Sequence, residues 1–206
     1  MEILSGLQLN KPLLINNANY NGGKLKMAKR ERIDDVTVKG IKGNQIIFRN
    51  FEGQANKFNN AGDRNFCLII DDELADELES KGFTIKRTKG GDDYDSVPYI
   101  KIKVGFTLKS GEDNPHPPRI FKIDSAGYRM LDKNTVKVLD GCRFKNVDLE
   151  FRGNSYIDRD TGEPKYSAYL SSFYATLEES DLEREYNERF AGMDSQDPNG
   201  LPFDAT

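Results

Sequence analysis

The sequence is poor in the residues that usually carry catalysis or hold a metal: its 206 residues include no tryptophan, one histidine and two cysteines. His116 lies in a proline-rich stretch without a neighbouring serine or cysteine that it could activate. Cys67 and Cys142 lie far apart in strand-like runs and form no CxxC motif, so we interpret both as small buried hydrophobic residues. These absences argue against a nucleophilic enzyme and against a zinc site.

Phosphate-binding loops and convergent acids are also missing. The glycine pairs Gly22-Gly23 and Gly90-Gly91 are not followed by the Lys-Ser/Thr pair of a nucleotide-binding loop. The run Asp71-Asp72-Glu73 marks the start of a helix, and Asp92, Asp93 and Asp95 lie in a polar loop. Two-metal hydrolysis needs acids that converge from several strands. We therefore predict no metal, no cofactor and no enzymatic activity, and keep a metal-dependent nuclease as a lesser alternative.

Long apolar runs are absent as well. No segment approaches the length of a membrane-spanning helix, and the first five residues lack the apolar region of a signal peptide. We expect an intracellular chain without membrane association. Hydrophobic residues make up 36% of the chain and charged residues 31%, which predicts a modest core. Eighteen glycines and 10% aromatic residues favour a β-rich domain with many turns.

Charge is divided unevenly along the chain. The 34 acidic and 30 basic residues include nine acidic and two basic residues in the segment 176–206, so residues 1–175 hold 25 acidic and 28 basic ones. A slightly basic body, near +3, therefore carries a tail near −7. An acidic tail can occupy a cationic groove of its own chain or the basic pocket of a partner, which fits a protein whose main ligand is a polyanion.

From Val36 onward the pattern indicates short strands, with one clear helix at residues 71–82 that begins at Asp71 or Asp72 and stops at Gly82. Residues 178–189 can form a second short helix. Because no β-α-β alternation is present, we predict a mainly-β chain: an OB-fold-like Greek-key barrel with one inserted helix and elaborated loops. The predicted units are a basic, loosely ordered arm (1–32), the barrel (33–177) and an acidic, largely disordered tail (178–206).

The strand 99–104 alternates, with isoleucine and valine on one face and Tyr99, Lys101 and Lys103 on the other. Bases can stack on a ring while ammonium groups meet phosphates, although an ordinary solvated face would show the same pattern. Similar pairs of a basic and an aromatic residue recur at strand ends and loops. The candidate nucleic-acid-binding residues are Lys24, Lys26, Arg30, Arg49, Lys57, Phe58, Arg64, Tyr99, Lys101, Lys103, Arg152, Tyr156, Lys165 and Tyr169.

Five segments between residues 45 and 178 resemble a group of tailed-phage single-stranded DNA-binding proteins. They are Phe48-Arg49-Asn50-Phe51-Glu52-Gly53, Asn56-Lys57-Phe58-Asn59, Arg64-Asn65-Phe66-Cys67-Leu68-Ile69-Ile70-Asp71-Asp72, Val147-Asp148-Leu149 and Tyr166-Ser167-Ala168-Tyr169-Leu170-Ser171-Ser172-Phe173-Tyr174. The resemblance implies an OB-fold, sequence-independent binding of single-stranded DNA, no catalysis, and a role in phage DNA replication, recombination and repair in the cytoplasm of the infected bacterium. The rival interpretation is a non-catalytic protein-interaction or structural phage protein on the same β-fold.

The tail tip Leu201-Pro202-Phe203 resembles the acidic, apolar-tipped tails with which T7-type and bacterial single-stranded DNA-binding proteins recruit replication enzymes. Here Asp204-Ala205-Thr206 follow, so a pocket that grips phenylalanine together with a terminal carboxylate could not be filled in the same way. The resemblance implies replication or recombination proteins as partners of the tail, and a homodimer is left open. The predicted partner-binding residues are Asp194, Asp197, Leu201, Pro202 and Phe203.

Overall fold

A computed structural model describes residues 32–91, 95–108 and 110–190, with the backbone alone for residues 32–34. Its nine strands are β1 (Arg32–Lys42), β2 (Ile46–Asn50), β3 (Asn65–Ile69), β4 (Ile85–Arg87), β5 (Pro98–Lys103), β6 (Arg119–Asp124), β7 (Gly127–Leu131), β8 (Phe144–Ile157) and β9 (Pro164–Leu177). The helices are α1 (Asp72–Ser80) and α2 (Asp181–Phe190), and 3-10 helices occupy Gly43–Gln45 and Val136–Asp140.

The strands form one sheet in the order β1-β8-β9-β5-β3-β2, with β4 added to β5 and the β6–β7 hairpin added to β9. The β5–β9 and β6–β9 pairs are parallel, whereas the other ladders are antiparallel. With β1 and β2 taken as two halves of one bent strand, the order of the main strands is the Greek-key order of an OB-fold. The mainly-β, OB-fold-like prediction and its inserted helix are therefore confirmed.

The two ends of the sheet meet at a corner rather than through a ladder. Only Gly43–Gln45 separates β1 from β2, although these strands lie at opposite ends of the strand order. A Cβ atom on Gly43 would lie 1.7 Å from the carbonyl oxygen of Phe144, so this close approach requires glycine. The sheet is thus curled around one core but is not hydrogen-bonded shut.

The core is aromatic at its centre. Phe173 lies 5.6 Å from Phe51, 5.3 Å from Phe66 and 5.9 Å from Phe144, measured between ring centroids. These edge-to-face contacts between buried rings add to the stabilisation from burial alone. The rings fix the positions of β2, β3, β8 and β9 relative to one another, and so hold the outer face of the sheet in a defined shape.

The predicted helix at residues 71–82 is confirmed as α1. The carboxylate of Asp71 accepts a hydrogen bond from the Leu74 amide at 2.8 Å and caps the helix. Leu74, Ala75 and Leu78 are buried against the core. The second predicted helix is α2, which buries none of its residues. Neither helix in the described part of the chain has the length and apolar character needed to cross a membrane.

Candidate nucleic-acid interface

The alternating strand predicted at residues 99–104 is β5, and its two faces differ as expected. Ile100 and Ile102 are buried in the core. Tyr99 and Lys101 are half-buried on the opposite face, and Lys103 is exposed there. Because β5 lies between β3 on one side and β4 and β9 on the other, this face is the middle of a broad outer surface.

Neighbouring strands add side chains of the same kind to this surface. Tyr99 lies opposite Lys86 of β4, and Lys103 lies beside Tyr169 of β9 in the parallel ladder. The Lys103 Nζ atom is 5.3 Å from the centroid of the Tyr169 ring and donates a hydrogen bond to the Ser167 hydroxyl at 3.3 Å. Pairing between strands therefore brings lysines and tyrosines from three strands together.

A groove of ≈ 260 Å³ runs through this surface. We call it the lysine groove, and its polar and aromatic lining consists of Thr84, Lys86, Lys101, Lys103, Tyr156, Tyr166 and Ser167. Among the described residues, none of the three lysines is in an ion pair with a carboxylate. Lys101 donates instead to the side-chain oxygen of Asn59 at 2.9 Å. The groove therefore presents positive charge that the described part of the fold does not neutralise.

Cys67 lies opposite Lys101 on β3. Burial raises the pKa of the Cys67 thiol to about 11, while the charges of Lys101 and Lys86 act in the opposite direction. At neutral pH the thiol is protonated, so it adds no negative charge to the groove and is a poor nucleophile.

Phe48 borders the same face from β2 and was not among the predicted site residues. Its backbone has φ of 50°, in a region that bulky residues rarely adopt, and a register shift between Ile47 and Asn50 accompanies it. The side chain is 66% exposed, and its ring stands edge-on to Tyr99 with centroids 6.0 Å apart. Bulges re-aim side chains in this manner and often lie at functional sites. A sequence signal exists, since three successive apolar residues, Ile46-Ile47-Phe48, cannot all face one core.

The loop between β2 and β3 lies at one rim of the groove. Asn59 accepts hydrogen bonds from Lys101 and from the Asn65 side chain, which holds the loop beside β5. Phe58 is exposed near the loop tip, and the Lys57 ammonium lies 4.8 Å from the centroid of its ring. Lys57 and Phe58 thus place a cation and an exposed ring together on this rim, and their contact with nucleic acid stays a prediction.

The β8–β9 hairpin forms the opposite rim. The Tyr156 hydroxyl is 3.1 Å from that of Thr84, which ties the hairpin to the segment before β4. Arg152 lies opposite Tyr169, and its Nε atom is buried without a hydrogen-bond partner among the described residues. Lys165, by contrast, is paired with Asp158 at 2.5 Å, and the pKa of this lysine is raised by that contact. Tyr156 therefore lines the groove, Arg152 lies beyond the lining residues beside Tyr169, and Lys165 is paired with a carboxylate of its own hairpin.

Arg49 and Arg64 are placed differently from the other candidates. Arg49 donates to the carbonyl oxygens of Leu139 and Cys142 at 3.0 and 2.6 Å. Arg64 donates to the carbonyl oxygen of Lys133 at 2.9 Å, and its guanidinium lies over the ring of Phe106. The structure does not bring these two guanidinium groups into the lysine groove.

The candidates Lys24, Lys26 and Arg30 and the tail residues Asp194, Asp197, Leu201, Pro202 and Phe203 lie outside the described residues.

Within the described ranges, no three histidine, cysteine or acidic side chains are grouped so that they could hold a metal ion. Of the acidic loop considered for a nuclease, Asp92 and Asp93 fall outside those ranges.

Comparison with known proteins identifies a family and a similar solved structure. The model of a family described as "Putative phage ssDNA-binding domain" matches residues 26–197. A solved structure, "Single-stranded DNA-binding protein from bacteriophage Enc34", is similar with a TM-score of 0.41 and 10% sequence identity. That similarity covers 71% of this chain and 82% of the phage protein. It gives no residue of this chain a role by correspondence with the phage protein. No curated protein matches the chain.

Proposed function

The chain belongs to the family of phage single-stranded DNA-binding domains, and we propose that it binds single-stranded DNA without sequence preference along the lysine groove. The observation that carries this proposal is the set of three lysines without carboxylate partners in the described chain, beside exposed or half-buried rings. Ammonium groups attract phosphates, and every base offers a flat face to a ring, so such a surface is tolerant of sequence.

The proposed contacts divide into two kinds. Lys86, Lys101 and Lys103 meet phosphates in the groove, and Lys57 and Arg152 meet them at the two rims. The rings that stack with bases are Phe48, Phe58, Tyr99, Tyr156 and Tyr169. Lys24, Lys26, Arg30 and Lys165 are further predicted phosphate contacts, whereas Arg49 and Arg64 support the fold through their bonds to backbone carbonyls.

The proposed role is non-enzymatic and lies in the replication, recombination and repair of phage DNA, in the cytoplasm of the infected cell. The acidic C-terminal segment competes with DNA for the groove, since its carboxylates resemble a string of phosphates in charge. When DNA displaces the segment, its apolar tip is released to recruit replication or recombination proteins. The charge difference between the body and the C-terminal segment supports this part of the proposal.

The direct test is fluorescence anisotropy with labelled single-stranded and double-stranded oligonucleotides over a series of salt concentrations. We expect tighter binding to single strands, and the logarithm of the association constant should fall linearly with the logarithm of salt concentration, by roughly 0.7 per phosphate contact. A gel of the same mixtures with magnesium or manganese detects cleavage. Absence of binding at low salt would favour the protein-interaction alternative, and metal-dependent cleavage would favour the nuclease.

Competition by the tail predicts that removing residues 191–206 tightens binding to single-stranded DNA. The deleted segment carries Asp194, Asp197 and Asp204 and no basic residue. We expect a gain of about threefold to tenfold at low salt, shrinking as salt screens the competing charges. A full-length variant with these three aspartates changed to asparagine keeps the length and should behave like the deletion. An affinity that stays the same or decreases in both proteins contradicts the competition.

A further inference from the structure

Helix α2 carries an apolar stripe that is exposed in the part of the chain that the structure describes. Leu182, Tyr186 and Phe190 are four residues apart and therefore share one face of the helix. They are 64%, 53% and 44% exposed, and the rings of Tyr186 and Phe190 stack with centroids 6.1 Å apart. An amphipathic helix of this kind is typical of segments that dock into an apolar surface. We call these three residues the helix stripe.

A second apolar surface that is exposed among the described residues lies on the β6–β7 hairpin. Tyr128 is 79% exposed, and Met130 is exposed beside it. Phe121 lies opposite Met130 in the ladder, is 6.2 Å from Tyr128, and stacks on Tyr174 with centroids 5.0 Å apart. We call Phe121, Tyr128 and Met130 the hairpin patch. None of these residues lines the lysine groove.

The two surfaces have opposite charge. Helix α2 contains four acidic residues and two arginines, one of which, Arg184, is paired with Asp181. The hairpin contains Arg119, Lys122 and Arg129, and its one carboxylate, Asp124, is paired with Lys122 at 2.7 Å. Two further carboxylates, Asp148 and Glu150, lie on β8, on the far side of Tyr174 from the hairpin. Asp148 already accepts a hydrogen bond from the Gly40 amide, and Glu150 accepts one from the Ser172 hydroxyl. An acidic helix with an apolar stripe thus matches a basic hairpin with an apolar patch.

Contacts within the chain tie α2 to the turn of the β6–β7 hairpin. Glu179, just before α2, accepts hydrogen bonds from the backbone and the hydroxyl of Ser125 at the hairpin turn, both at 2.9 Å. Asn187 of α2 donates to the same carboxylate. These bonds fix the start of α2 beside the turn, and in that position the helix stripe and the hairpin patch both remain exposed.

We propose that the helix stripe of one copy docks on the hairpin patch of a second copy. The contact joins two different surfaces, so each copy that donates its helix still offers a free hairpin, and the arrangement continues from copy to copy. Its role rests on the proposed function: neighbouring copies on one DNA strand would hold each other in place, and binding would be cooperative. The lysine groove is left free for DNA.

The test uses two variants of the full chain. The helix variant carries Tyr186→Ser and Phe190→Ser, and the hairpin variant carries Tyr128→Ser and Met130→Ser. Sedimentation velocity without DNA should show that the wild type associates with rising concentration and that either variant alone is a monomer. An equal mixture of the variants should form a complex of two copies that grows no further, because one intact helix then meets one intact hairpin. Val138→Ser, at another exposed apolar residue, should associate like the wild type.

A second measurement separates this proposal from the proposed function. On a long oligothymidine, a neighbouring copy should raise the affinity about tenfold, and both variants should lose that gain while binding a one-copy oligothymidine normally. If the one-copy oligothymidine is not bound at all, the proposed function is wrong, whereas sedimentation velocity still tests whether the copies associate. A wild type that stays monomeric and shows no gain on the long strand overturns the docking of copies. So does a mixture of the variants that stays monomeric while the wild type associates.

Discussion

Changing Lys101 and Lys103 together to glutamine is expected to weaken binding to single-stranded DNA about 25-fold at about 0.1 M salt. The two ammonium groups lie in the lysine groove and donate there only to neutral groups, Asn59 and Ser167, so no carboxylate of the described chain competes with phosphates for them. Each phosphate contact to a single strand contributes roughly 0.7 to the slope of log affinity against log salt, which is about fivefold at about 0.1 M salt. The slope should therefore decrease by about 1.4 in the double variant. Anisotropy titrations over a salt series measure both quantities.

The matched control changes Lys137 and Lys145 to glutamine. Both are exposed, and both lie away from the groove, in the 3-10 helix Val136–Asp140 and at the start of β8. The net charge changes by the same amount, and we expect an affinity within about twofold of the wild type, because nearby charges dominate at this ionic strength. Equal losses in the two double variants would mean that overall charge, rather than the groove, attracts the DNA.

The parts of the fold that follow from local periodicity were predictable. Strand β5 alternates with period two, and α1 has its cap at Asp71 and its apolar residues four apart. The corner at Gly43 was not predictable in the same way, because glycine is required there by the carbonyl group of Phe144, about a hundred residues away along the chain. The hairpin strand β7 was also missed, since Tyr128 and Met130 are exposed apolar residues that do not mark a buried face.

The candidate site likewise combines residues that the pattern of one strand predicts with residues that only long-range pairing brings together. The face of Tyr99, Lys101 and Lys103 followed from one strand alone. Lys86 joins it only through the pairing of β4 with β5, which the local sequence does not encode. Arg49 was a candidate because it is basic and next to an aromatic residue, yet its hydrogen bonds go to carbonyl groups about ninety residues away. Residue type predicts what a side chain can bind, whereas long-range pairing decides what it meets.

Changing Phe48 to asparagine is expected to weaken binding to single-stranded DNA while leaving the stability of the fold unchanged. The ring is largely exposed and edge-on to Tyr99, so its loss should remove one stacking contact, which contributes about 1–3 kcal/mol to binding, or roughly 5-fold to 150-fold in affinity. The backbone at this position has φ of 50°. A non-glycine residue in such a conformation costs about 1–3 kcal/mol, and asparagine tolerates it better than phenylalanine does. Anisotropy and denaturant unfolding measure the two effects separately.

The expected free energy of unfolding is unchanged within about 1 kcal/mol, because relief of backbone strain offsets the lost contact with Tyr99. A buried phenylalanine behaves differently, since its truncation costs about 3–5 kcal/mol. Phe48→Tyr keeps the ring and should bind DNA within about twofold of the wild type. If Phe48→Asn binds normally, the ring does not touch DNA. If it lowers stability by several kcal/mol, the bulge holds the sheet together rather than aiming a ring at bases. A loss of affinity with unchanged stability means that β2 accepts a strained backbone in order to present Phe48 to the ligand.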